Sequence, residues 1–152
     1  MAYYEDLTAY AYSDYSPGEA GSAALNIGWL DGAHPFRTGR ASEFFVAALL
    51  TLLARDENNS NPMRGIHYCE FCDLEDANYP VANERGWGHL GSYELHIPGI
   101  AGTWFVAPSL VVHYVLAHDY SPPLVFQQAV VNEACAPGVP DRVRAGWLAA
   151  LH

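Results

Sequence analysis

The stretch His67-Tyr68-Cys69-Glu70-Phe71-Cys72 constrains this chain more than any other, because it gathers three of the best zinc-ligating side chains in six residues. Cys69 and Cys72 have the spacing of a zinc knuckle, a tight turn whose two thiolates converge on one ion. His67 lies two residues before Cys69 and shares its face if the segment is extended, since side chains repeat every second residue along a strand. Two thiolates and one imidazole leave one tetrahedral position. A fourth protein ligand there makes a structural site; a water makes a catalytic one.

With 152 residues, 51% hydrophobic and 16% charged, the chain can bury one core. The expected organisation is a single zinc-binding domain over 1–152, with an N-terminal arm over 1–24 and a C-terminal helix over 140–152. The longest apolar run, Phe44 to Leu53, is too short to span a bilayer, and the first residues have neither a basic nor an apolar leader region. The expectation is a cytoplasmic protein with no membrane attachment. Seventeen acids against seven basic residues give a net charge of -10. That charge repels phosphate backbones and disfavours nucleic acid, leaving simple solubility or a basic protein partner as its use. Three cysteines without an export signal argue against a disulfide framework. Metal ligation accounts for the close pair, and Cys135 reads as a small buried or helix-end thiol.

Local patterns place the motif. Tyr3, Tyr4, Tyr10, Tyr12 and Tyr15 mark the arm as a segment that packs over the body. Leu25 to Leu30 alternates like a short strand and meets a turn at Asp31-Gly32. Ser42 can cap a helix to about Arg55, with Phe45, Ala48, Leu49, Leu52 and Leu53 on one stripe. Arg64 to Cys69 reads as a strand entering the knuckle, and Asp73 to Arg85 as a loop. Tyr93, Leu95 and Ile97 alternate with Glu94 and His96, and a Pro98-to-Gly102 turn leads to Thr103-Trp104-Phe105-Val106, which is a hairpin pattern. A helix follows with Pro108 in its first turn, another runs from Ser121-Pro122-Pro123 to about Ala134, and a last one starts at Asp141.

Knuckle, hairpin, helix is the order of a treble-clef zinc finger, in which the helix returns ligands to the ion. It points to His113 and His118, whose spacing lies within the range of paired zinc histidines. Five residues on a straight helix separate two side chains by roughly 140° around the axis. Both can reach one ion only if the helix tightens or ends near His118. Two ligand sets therefore compete: His67, Cys69 and Cys72 with His113, or Cys69 and Cys72 with both helix histidines. The first is preferred because it leaves the helix undistorted.

The two thiols could instead form a redox dithiol, but the acidic loop after Cys72 would raise rather than lower a thiol pKa. A zinc deaminase needs a glutamate two residues after its histidine, where this chain has Cys69. An open metal site would need a carboxylate base, for which Glu70 and Glu94 are the candidates, although no catalytic residue can be assigned from pattern alone. Trp29, Asp31 and His34 mark a candidate ligand pocket; the plain alternative is a turn held by Asp31 with Trp29 packed beneath it.

Several motifs occur in order: Leu25-Asn26-Ile27-Gly28-Trp29-Leu30-Asp31 with His34-Pro35-Phe36 and Gly39; His67-Tyr68-Cys69-Glu70-Phe71-Cys72; Ala107-Pro108-Ser109-Leu110 with His113-Tyr114, His118 and Tyr120; and Pro122-Pro123 with Phe126. On these the chain resembles a family of small bacterial proteins, common in actinobacteria, from the amino terminus to about residue 130. The resemblance implies no activity, since the family has no known function. The Asp141 helix and the Gly86-Trp87-Gly88-His89 region fall outside its pattern.

These observations predict an α+β protein in which a small antiparallel sheet carries a treble-clef-like zinc knuckle, hairpin and helix, packed by further helices. The expected ligands of Zn2+ are His67, Cys69, Cys72 and His113, with His118 as the alternative. A structural zinc in a binding or interaction module is the leading function; a metal-dependent hydrolase with zinc-bound water is the alternative.

Overall fold

The Ser42 hydroxyl accepts the Phe45 N–H at 3.1 Å and caps the first helix, α1 (Glu43–Leu53). A serine with extended backbone supplies an acceptor to one of the unpaired amides of the first turn. The computed structural model describes residues 3–11, 17, 22–55, 59–60, 68–72, 80–83, 86–89 and 93–135. Within them Phe45, Ala48, Leu49, Leu52 and Leu53 are the buried face of α1, the stripe expected from helical periodicity.

The strands are β1 (Ala23–Asn26), β2 (Asn59–Ser60), β3 (Pro80–Asn83), β4 (Gly86–His89), β5 (Glu94–Pro98) and β6 (Thr103–Pro108). Four form one sheet in the order β1-β6-β5-β2, and β3 pairs with β4 in a separate ribbon. The hairpin β5–β6 is antiparallel with Leu95 opposite Ala107 and His96 opposite Val106. β1 runs parallel to β6, so the sheet is mixed and not wholly antiparallel as its sequence suggests. The chain between β1 and β6 includes α1 and is long enough for a crossover, which parallel pairing requires.

Two further helices, α2 (Val111–His118) and α3 (Leu124–Cys135), complete the described elements. Leu95, Ile97, Phe105 and Ala107 contribute to one core with the buried residues of all three helices. Phe126 of α3 sits edge-on to both Phe45 and Phe105, with ring centroids 6.4 and 5.9 Å apart, a favourable geometry for aromatic quadrupoles. Arg55 fastens the end of α1 to the end of α3 by donating to Glu133 O and Ala134 O at 3.1 and 3.0 Å. These are last-turn carbonyls, which lack helical partners. Cys135 is buried in the same core, at the end of α3.

A smaller apolar cluster, Tyr10, Trp29 and Val106, is joined by Tyr4 and Ala24. The arm reaches it by pairing with β1 and the residues after it: Tyr10 N–H donates to Ala24 O, Asn26 N–H to Thr8 O, and Tyr4 N–H to Trp29 O. β1 stops at Asn26, short of the run expected to Leu30, because Gly28 turns the chain with φ of +71°. A Cβ on Gly28 would lie 2.9 Å from Val111 Cγ2, so only glycine allows this approach to α2.

Three other expectations need correction. Pro108 ends β6 opposite Glu94 instead of starting the helix, which begins at Val111. A strand end suits a residue with no N–H to donate. Residues 80–83, expected in a loop, pair as β3 with β4; Pro80 and Asn83 of the one and Gly86 and Gly88 of the other carry little strand signal. Tyr68 and Cys69 are not in a strand. Arg64 to His67 and the helix expected from Asp141, within 140–152, lie outside the described residues.

Candidate metal centre

The helix that presents both histidines is short and sharply ended. Val111, Val112, Tyr114 and Val115 are its buried residues, while His113 and His118 are half-buried. His118 is its last residue. Asp119 then adopts the left-handed conformation at φ of +53°, and the N–H groups of Asp119 and Tyr120 both donate to Tyr114 O. This closes the orphan carbonyl of the last turn much as a Schellman turn does, and Asp tolerates the positive φ better than most residues. The helix thus ends where the sequence argument required if two histidines five apart are to share a site.

Across from the helix, Cys69 is buried and Cys72 half-buried, and the Phe71 N–H donates to Cys69 Sγ at 3.4 Å. Phe71 wedges the turn against α2. Its ring lies 5.3 Å from His118, 6.0 Å from Tyr114 in an edge-on contact, and 5.3 Å from Phe36.

The four side chains converge. Cys72 Sγ is 3.3 Å from His113 Nε2 and 3.2 Å from His118 Nε2, and Cys69 Sγ is 3.3 Å from His118 Nε2. All four potential ligand atoms lie within 4.8 Å of one another. The histidine rings stand nearly perpendicular, with centroids 5.0 Å apart. In a tetrahedral zinc site, bonds of about 2.3 Å to sulfur and 2.05 Å to nitrogen set a sulfur-to-nitrogen edge of about 3.6 Å. The observed edges are slightly shorter, so a cation could be admitted by a small expansion without moving an element.

Electrostatics favour a dication at this point. Burial pushes the Cys69 thiol up to about 11, with the neighbouring Cys72 adding to the rise and the Phe71 amide opposing it. Burial, with His118 beside it, lowers the His113 pKa below the usual imidazole value. Without a cation Cys69 therefore disfavours the thiolate and His113 the imidazolium. Two thiolates, two neutral imidazoles and one divalent ion would sum to no charge, which suits a partly desolvated site.

The other sequence candidates lie elsewhere. His67 lies outside the described residues, so the group assembled among the described residues is the set with both helix histidines. Glu70 is exposed, and the group contains no carboxylate. Glu94 is fully buried; it accepts the Tyr10 hydroxyl at 2.9 and 2.7 Å on its two oxygens, and His96 Nε2 lies 3.3 Å from Oε1. Trp29 is also fully buried and donates its indole N–H to Val106 O. Asp31 accepts the backbone N–H groups of Ala33 and His34 and contacts His34 Nδ1 at 2.7 Å, and the His34 ring holds its carboxyl below the usual range. Tyr3 stacks on that ring at 3.8 Å. Asp31 and His34 thus build a surface turn while Trp29 is packed beneath the arm.

Sequence reasoning missed the arm's role in burying Glu94, for which the alternation of Glu94 and His96 with Leu95 and Ile97 was the available signal. It also missed a cavity of about 570 Å³ whose walls include Leu7, Leu25, Phe105, Val125 and Ala129, since it forms where distant segments meet.

Residues 2–131 match the family model described as Domain of unknown function (DUF7919), and the chain belongs to that family. No curated protein and no solved structure matches it significantly. Among the described residues no helix is long and apolar enough to cross a membrane.

Proposed function

We propose that this DUF7919 protein binds one Zn2+ through Cys69, Cys72, His113 and His118, and that the ion ties a treble-clef-like knuckle to the end of α2. The convergence of two sulfurs and two ring nitrogens within 4.8 Å carries this reading. A mixed thiolate and imidazole set with tetrahedral proportions selects zinc over hard cations, which take oxygen ligands.

The site is structural. Four protein donors fill a tetrahedron and leave no position for a reactive water, and the group holds no carboxylate to act as a base. Binding free energy then adds directly to folding free energy, anchoring the Cys69 to Cys72 turn where Phe71 packs against α2. The surface that this anchoring shapes serves binding and not catalysis. With a net charge of -10, a basic protein is the partner it would steer best.

The test is metal content and X-ray absorption at the zinc edge on protein purified without a metal-binding tag. One zinc with two sulfur and two nitrogen neighbours and no water is the expected result. A three-ligand site with an exchangeable water would replace this reading with the metal-dependent hydrolase. No stoichiometric metal, with reversible disulfide formation between Cys69 and Cys72, would leave the dithiol.

A further inference from the structure

The loop entering α1 and the loop entering α3 are stitched together immediately after the metal helix. Ser121 N–H donates to Arg37 O at 2.9 Å, Gly39 N–H donates to Asp119 O at 2.8 Å, and Thr38 and Tyr120 form an isolated antiparallel bridge. These loops carry sequence motifs that the metal centre does not use. Their seam brings the starts of two helices to a single cavity of about 420 Å³, walled in part by Arg37, Arg40, Ser42, Ser121, Leu124 and Gln127.

The charge of that cavity runs against the rest of the chain. All seven basic residues are arginines, outnumbered by seventeen acids, yet two of the seven share this wall. Among the described residues neither Arg37 nor Arg40 forms an ion pair with a carboxylate. Glu43, in the first turn of α1, is exposed and is not one of the walls. Guanidinium groups present planar forks of donors that match the oxygens of an oxyanion. Ser42, the N-cap of α1, and Leu124, the first residue of α3, both line the cavity, so the positive ends of the two helices reinforce a preference that the arginines establish. Gln127 is held in place by its bond to Pro122 O at 2.8 Å. The volume falls within the range of about 300–1,000 Å³ typical of small-molecule sites, larger than a lone oxyanion fills.

We propose that this cavity binds a phosphate-type dianion through Arg37 and Arg40, with room for the small molecule that carries it. The site is separate from the metal centre and stands or falls independently of it.

Calorimetric titration of the full chain at constant ionic strength tests this with inorganic phosphate, glycerol 3-phosphate and acetate as probes. Saturable binding of a phosphate probe, at least tenfold tighter than acetate, is expected. Glycerol 3-phosphate binding at least as tightly as inorganic phosphate assigns the site to esters; the reverse order assigns it to the free ion. R37Q and R40Q should each weaken binding about tenfold or more while keeping the wild-type melting temperature, because both side chains are exposed. Glu43→Gln, which removes a negative charge at the start of α1, should tighten binding, a gain that misfolding cannot imitate. No saturable binding of either phosphate probe, or undiminished binding by the double arginine variant, would overturn the proposal.

Discussion

His118 Nε2 stands 3.3 Å from Cys69 Sγ, although the two residues are 49 positions apart in the sequence. His118 is the last residue of α2, followed by Asp119 in the left-handed conformation, and its ring centroid stands 5.0 Å from that of His113.

Metal content should separate the histidines. His118→Ala and His113→Ala are each expected to lower zinc affinity by about 100-fold or more, since loss of a direct ligand exceeds the 10–100-fold cost of losing an outer-shell partner. His67→Ala should retain full stoichiometry. Competition against a chromophoric chelator measures all three, and loss of zinc on His67→Ala with retention on His118→Ala would reverse the ligand assignment.

Zinc binding should release protons. The Cys69 thiol, pushed up to about 11 by burial, is protonated at pH 7, whereas a lowered pKa leaves His113 neutral there. The cation must therefore displace at least the Cys69 proton, so apparent affinity rises with pH by about tenfold per unit for each proton displaced. Titrations in buffers of different ionisation enthalpy count the protons; an affinity independent of pH between 6 and 8 would contradict thiolate ligation.

Tyr10 should matter to stability beyond its own contacts. Its single hydroxyl hydrogen is shared between both oxygens of the fully buried Glu94, so Tyr10→Phe removes a donor from a carboxyl group that cannot reach water. A loss of about 1–3 kcal/mol is expected from removing one partner of a buried hydrogen bond. Urea unfolding reads it directly, and zinc content should be unchanged because Glu94 is not part of the metal group.

Tyr93 offers the opposite sign. Its hydroxyl is buried with no hydrogen-bond partner among the described residues, and burial pushes its pKa up to about 12. Between the ordinary tyrosine value of about 10 and this raised one, the unfolded chain loses the proton and the folded chain keeps it, so stability falls as pH rises. Tyr93→Phe should be stabilising by up to about 1 kcal/mol at neutral pH and should reduce the alkaline loss. Equal slopes of stability against pH for wild type and variant above pH 10 would show that another group dominates.

Local chemistry was legible wherever a residue acts on its own neighbours. Ser42 caps the helix that its position announces, the alternation from Glu94 to Ile97 is a strand, and Pro122-Pro123 precedes a helix. The spacing of Cys69 and Cys72, with paired histidines on a later helix, named the donor types of the candidate site. Each of these depends on geometry that repeats within a few residues, so periodicity and capping suffice to read it.

What remained was decided by where elements end and what meets across the sheet. Five residues on a straight helix set His113 and His118 apart around the axis, and their common approach to Cys72 is a tertiary contact. The parallel match of β1 to β6, the burial of Glu94 beneath Tyr10, and the meeting of Arg37 and Arg40 with the start of α3 all join segments far apart in the chain. No local pattern encodes such meetings. They follow from the packing of whole faces, where burial of the common core and satisfaction of polar groups select one arrangement among many locally permitted ones.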